Sequence, residues 1–143
     1  MTFLPQKMYV KYMYEYFTKR KLNLENPIEF NEKIQWYKVF YHRDLLTNLV
    51  DKHNVRDYVI EKIGKEYLNE QYAVYNKASE FNLDELPNEF IVKATHGCSY
   101  NLIIKDKSKI NKKKVKLLFF KWLQTSQYYR TGKEWAYKNI KPR

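Results

Sequence analysis

Glycine is scarce in this chain of 143 residues: there are three, alongside four prolines. That scarcity excludes a Gly/Ser linker or a low-complexity tract and implies regular elements joined by few tight turns. Cysteine occurs once, at Cys98, so no intrachain disulfide can form, no Cys/His zinc spacing exists, and a reducing compartment is expected. Acidic residues are outnumbered, 16 Asp and Glu against 27 Lys and Arg, leaving a net charge of +11. Such a balance attracts nucleotides, nucleic acid, anionic lipid or acidic glycans, and does not choose among them. No run approaches the roughly 18 apolar residues of a membrane span, and the first ten positions carry no long apolar core of the secretory kind. The expectation is a cytoplasmic protein whose basic face can meet a membrane surface.

What is abundant is aromatic. Hydrophobic residues make up 44% of the chain and aromatics 17%, which argues for a packed core and against disorder. Over 4–20, two rows at helical spacing (Met8, Tyr12 and Phe17; Tyr9, Met13 and Tyr16) read as a helix with a wide apolar side. Asn26 and Pro27 suit the cap and first position of a second helix over 27–40, with Glu29 reaching back and Phe30, Ile34, Tyr37 and Tyr41 as its apolar stripe. A third helix is expected over 45–63, capped by Asp44, stopped by Gly64, and containing Asp51 and Lys52. Beyond it, 72–75 is a strand candidate and 79–86 a turn or a single helical turn before Pro87. The β-rich runs 90–94 and 101–105, around a short loop with one glycine, read as a hairpin. A last helix over 111–127 has Val115, Leu118, Phe119 and Trp122 on its apolar face. The fold class is therefore α+β, with a boundary near residue 43 between an N-terminal helical region, 1–43, and a mixed region, 44–143.

Three groups of residues invite chemistry. Lys93 ends the first β-rich run, just before the loop. A strand holds a lysine in place while a small-residue loop offers N–H groups to phosphate, so the pattern suits nucleotide phosphates, although a surface lysine before an ordinary turn has the same spacing. Lys52 is open to two readings as well, a second phosphate cation or a helix salt-bridge partner. His96 reads as a phosphate contact or as a structural hydrogen bonder, and Cys98 has no histidine placed beside it by spacing. The run Lys105, Lys107, Lys109, Lys112, Lys113 and Lys114, with Trp122, Tyr128 and Tyr129 nearby, is the strongest basic patch, yet no RNA-binding or zinc-finger signature accompanies it. No Asp-x-Asp motif for a nucleotide sugar is present.

Taken in order, several stretches resemble one family. They are Leu22-Asn23-Leu24 with Asn26-Pro27; Phe30-Asn31-Glu32-Lys33-Ile34-Gln35-Trp36; Val50-Asp51-Lys52 and Val55-Arg56-Asp57-Tyr58-Val59; Phe90-Ile91-Val92-Lys93 with His96-Gly97; Asn101 through Ser108; and Glu134 through Arg143. The chain resembles the TupA-like ATP-grasp proteins of teichuronopeptide and cell-surface polysaccharide synthesis, often labelled glycosyltransferases. The resemblance implies a partial ATP-grasp-like α/β subdomain in 44–143 and ATP as cofactor. It assigns ATP binding to Lys52, Lys93, His96, Gly97, Ser99 and Asn101. The implied chemistry is ATP-dependent carboxylate–amine ligation, with an acidic glycan or polypeptide as acceptor and no specific nucleic acid partner.

Two departures qualify the resemblance. The family loop reads like His-Gly-Ser-Gly-Gly-Asn, whereas here it is His96-Gly97-Cys98-Ser99-Tyr100-Asn101, which removes the glycines that permit close backbone approach. The Mg²⁺ ligands of the family are expected beyond residue 143. The chain is accordingly expected to be the N-terminal portion of such an enzyme, inactive alone, and to dimerise or associate with a C-terminal half. Whether it is itself an enzyme stays open. The alternative is a non-catalytic basic module that binds nucleic acid or acidic glycan.

Overall fold

A computed structural model describes residues 3–143; positions 1 and 2 of the expected N-terminal region lie outside the described residues. Helix α1, Gln6–Thr18, buries Val10 and Tyr14 and ends on Lys19 in the left-handed conformation. Helix α2, Phe30–Phe40, starts three residues later than the Asn-Pro pair suggests. The reason is Glu32. Its carboxylate turns back to accept the N–H groups of Ile28 (2.9 Å), Glu29 (3.1 Å) and Asn23 (3.3 Å). That satisfies donors a helix start leaves unpaired. Asn26 does not cap; its own N–H, with that of Glu25, donates to the side chain of Asn23.

This anchoring also rotates α2. The row expected to face the core, Phe30, Ile34, Tyr37 and Tyr41, is exposed, and the buried side chains are Glu32 and Val39. The Glu32 carboxylate must reach the N–H groups of the 23–29 loop, so that face of the helix turns inward. Val39 then joins Val10, Tyr14, Leu22 and Leu24 in a small hydrophobic cluster.

The single helix expected over 45–63 is two, α3, Asp44–Val50, and α4, Val55–Ile63. Asp51 breaks it. Its Oδ1 accepts the N–H groups of His53 (2.8 Å) and Asn54 (3.2 Å), an Asx-type turn that competes with helical continuation. Lys52 therefore sits in a turn. Gly64 does end α4, at φ 109°, a backbone conformation that a Cβ disfavours.

Strands β1, Phe90–Lys93, and β2, Asn101–Ile104, form the expected antiparallel hairpin, with Phe90 opposite Ile104 and Lys93 opposite Asn101. Residues 72–75 form no strand; among the described residues the sheet has two strands. Helix α5, Lys112–Leu123, is capped by Asn111, whose side chain accepts the N–H of Lys114 (3.0 Å). A short helix α6, Gln127–Arg130, and a 3-10 turn at Trp135–Tyr137 follow. A second cluster, Phe81, Leu83, Leu86, Phe90, Ile104 and Phe119, joins the hairpin to α5, with Val115 and Trp122 against it. Burial of a side chain such as Phe119 contributes about 1.5–3 kcal/mol. The N-terminal helices are tied to the tail. The amide of Gln6 donates to the carbonyls of Lys38 and Lys133, both at 2.7 Å, and the His42 ring stacks on Trp135 at 5.0 Å. No helix among the described residues is long and apolar enough to cross a membrane.

Candidate functional site

A cleft of about 590 Å³ opens beside β1, between it, the extended segment 69–75 and the first turn of α4. Tyr75, Phe90, Val92, Phe119 and Trp122 supply apolar walls, while Lys52, Arg56, Lys77, Lys93 and Arg143 bring positive charge against one acid, Glu70. Apolar walls with a few convergent charged groups are the usual make-up of a small-molecule site.

The two lysines reach the cleft by different routes. Lys93 is carried there by β1; it is exposed and makes no ion pair among the described residues. Lys52 arrives because Asp51 breaks the helix. Its backbone N–H donates to Thr95 O (3.2 Å), and its ammonium donates to the carbonyls of Ala94 (3.2 Å) and Gly97. Lys52 thus pins the turn after α3 to the loop after β1. Burial lowers its pKa, and the charge of Lys93 adds to the lowering, while Cys98 and Asp51 oppose it. Both lysines line the same cleft.

Behind Lys52 lies a buried ion pair. Asp51, 1% exposed, receives Arg143 Nη2 on Oδ2 at 3.1 Å, and the same nitrogen donates to Asn54 Oδ1 at 2.9 Å. The carbonyl of Arg143 accepts the Thr95 N–H at 2.8 Å, just past the end of β1. The Nε of Arg143 is buried and has no protein partner, which leaves a donor at the cleft wall for an anion or water.

The other four residues that the resemblance assigns to ATP binding do not line the cleft. His96 is 1% exposed, and its Nε2–H donates to the carbonyl of Trp122 at 2.9 Å, so the ring fastens the loop to α5. Gly97 is buried where a Cβ would meet the Tyr100 ring at 2.8 Å and Gln127 Oε1 at 2.9 Å; its carbonyl is the one that Lys52 holds. Ser99 is exposed and adopts φ 66°, the left-handed conformation costing roughly 1–2 kcal/mol without glycine. Asn101 is exposed on β2 opposite Lys93. Tyr100 turns inward, and its hydroxyl accepts a hydrogen bond from Arg130, whose guanidinium lies 5.1 Å from the ring centroid. The loop keeps its form through side chains packed beneath it.

Arg56, Lys77, Tyr75 and Arg143 were missed by sequence reasoning. For Arg56 a signal existed in its place four residues after Lys52, the spacing of a helix over 45–63 that the structure breaks at Asp51. Nothing local marks Arg143, whose partner Asp51 lies 92 positions away.

An α+β scaffold that gathers strand, turn and tail cations around an apolar cleft is chemically suited to a compact anion. The chain belongs to the TupA-like ATPgrasp family, whose model matches residues 32–143. No curated protein and no solved structure matches it at a significant level.

Proposed function

We propose that the cleft receives ATP and that the chain serves ATP-dependent carboxylate–amine ligation in cell-surface polysaccharide or teichuronopeptide synthesis. The supporting observation is the convergence of Lys93, Lys52, Arg56 and Arg143 on one apolar-walled cleft. Lys93, unengaged by any carboxylate among the described residues, takes phosphate oxygens. Lys52 holds the loop in place through two carbonyls and adds positive potential. Tyr75, Phe90 and Val92 exclude water and give the base an apolar surface. His96 and Gly97 act by holding the loop; Ser99 and Asn101 present themselves at its outer side.

With ATP bound, its γ-phosphoryl group would pass to a substrate carboxylate with release of ADP, and an amine would then displace inorganic phosphate to form the amide. The described residues contain no cluster of three or more His, Cys, Asp or Glu able to hold a metal ion. Mg²⁺ would accompany the nucleotide, as the family resemblance implies. The net positive charge suits an acidic glycan or polypeptide acceptor. The two hydrophobic clusters, one within 10–39 and one within 81–119, support a division near residue 43.

The second reading, a non-catalytic basic module, is favoured by Lys113, Lys114 and Lys121, exposed on α5 and paired with no acid among the described residues. Thermal protection by ATP separates the two. Saturating ATP at about 100 times its Kd stabilises the native chain by about 2.7 kcal/mol. Lys93→Met should abolish that protection. If ATP gives none even to the unaltered chain, and every ligand is released by salt alone, the ATP reading fails.

A further inference from the structure

We infer that the outer face of α1 is a docking surface for an anionic phospholipid bilayer. The inference does not depend on the nucleotide cleft. Met8, Tyr12 and Tyr16 fall at successive four-residue steps along α1 and are 57%, 45% and 56% exposed, with Phe17 beside them at 72%. The core face of the same helix is already occupied by Val10 and Tyr14, so this row is a second, unpartnered apolar face. Tyr12 and Tyr16 stack on each other at 6.3 Å, and Phe17 meets Tyr16 edge-on at 5.2 Å. Tyrosine, with an apolar ring and a polar tip, is suited to the boundary between headgroups and acyl chains.

Charge identifies the occupant. Residues 7–21 hold five basic side chains and one acid, Glu15. Arg20 is paired with Glu29, but Lys7, Lys11, Lys19 and Lys21 form no ion pair among the described residues. Lys19 lies over the Tyr16 ring at 4.8 Å, and Lys7 lies 5.7 Å from the ring of Phe40 on α2. Lys7, Lys11 and Lys21 also line a hollow of about 300 Å³ together with Leu22, Leu24, Glu25 and Phe40, beside the core face of α1. An apolar row flanked by unpaired lysines is the make-up of a helix that lies in a membrane interface. A second copy of the chain would bring the same positive charge against itself. In the docked state Met8, Tyr12, Tyr16 and Phe17 enter the headgroup boundary, and the flanking lysines Lys7, Lys11 and Lys19 meet lipid phosphates.

The experiment is co-sedimentation of the full chain with phosphatidylcholine vesicles, with and without about one-third phosphatidylserine. The expected result is strong partition onto the anionic vesicles and weak partition onto the neutral ones. Each lysine lost from the face should weaken partition about fivefold, so Lys7→Glu/Lys11→Glu should weaken it at least 25-fold by this estimate. Tyr12→Ser/Tyr16→Ser, which keeps every charge, should weaken it about tenfold or more. Lys113→Glu/Lys114→Glu on α5 should retain most of the partition, and all three variants should keep ATP protection equal to the unaltered chain. Should the serine variant fail to fold, Tyr12→Trp replaces it; its fluorescence must then be quenched by brominated lipid.

The inference is overturned if anionic and neutral vesicles bind alike, or if the α1 variants bind as the unaltered chain does. Loss of binding in the α5 variant alone overturns it too. So does an α1 variant that loses affinity for single-stranded RNA while keeping its affinity for vesicles.

Discussion

Removing the Asp51 carboxylate tests how the Lys52 turn is built. In Asp51→Ala the Arg143 guanidinium, whose side chain is 15% exposed, loses its only carboxylate partner among the described residues. Removing one member of a buried pair costs about 3–5 kcal/mol, because the other charge stays out of water without compensation. The N–H groups of His53 and Asn54 also lose their acceptor, worth about 1 kcal/mol by analogy with a helix cap. Arg143 keeps its hydrogen bond to Asn54 and some solvent contact, which lowers the first figure. The expected total is about 3–4 kcal/mol, a large part of the roughly 5–15 kcal/mol that holds a domain folded. Urea unfolding at pH 7 measures it as a fall in midpoint at unchanged slope. Arg143→Met, alone and combined with Asp51→Ala, completes a cycle whose coupling should exceed about 1 kcal/mol, since the two groups touch. The single variants should also weaken ATP protection, because the turn that holds Lys52 against the 94–97 loop loses its anchor. A loss under about 1 kcal/mol for Asp51→Ala, with no coupling to Arg143, would refute this account.

Other perturbations have equally definite signs. Burial depresses the Lys52 pKa below its ordinary value of 10.5. The folded chain therefore binds fewer protons than the unfolded one just below that value, and stability should rise with pH through this alkaline window. Lys52→Met should flatten the rise relative to the unaltered chain in pH-dependent urea melts. Backbone hydrogen bonds from Glu29 and Ile28 lower the Glu32 pKa below its usual 4.5. Its stabilising contribution is present above that value and is lost as pH falls through the lower, folded pKa; Glu32→Gln should remove this part of the acid transition, seen by circular dichroism. Ser99→Gly should change stability from neutral to about 1 kcal/mol more stable, because relief of a left-handed serine is offset by glycine's greater unfolded entropy. Ser99→Val should destabilise, and a higher melting temperature for the valine variant would contradict the φ of 66°.

Much of the local structure was legible in the chain. Gly64 marked the end of α4, the runs around the His96–Asn101 loop marked the hairpin, and the Phe119 face of α5 marked the core. Each depends on neighbours a few positions apart, which spacing and turn chemistry report directly. The α2 stripe was legible as a stripe but not as an exposed one. Periodicity shows that residues share a face; it does not say which face is buried when a charged residue such as Glu32 has its own reason to turn inward. The break at Asp51 hid inside a helical pattern, because a carboxylate that accepts two successive N–H groups has the same spacing as one that decorates a helix.

The family, the hairpin and the lysine at the end of β1 are properties of the sequence itself, set by ordered motifs and short-range chemistry. That Lys52 meets Lys93 at one cleft was decided by tertiary structure. It requires Arg143 to cross to Asp51 and the Lys52 ammonium to find the carbonyls of Ala94 and Gly97. Those contacts span 42 to 92 positions, and only packing brings such distant groups together.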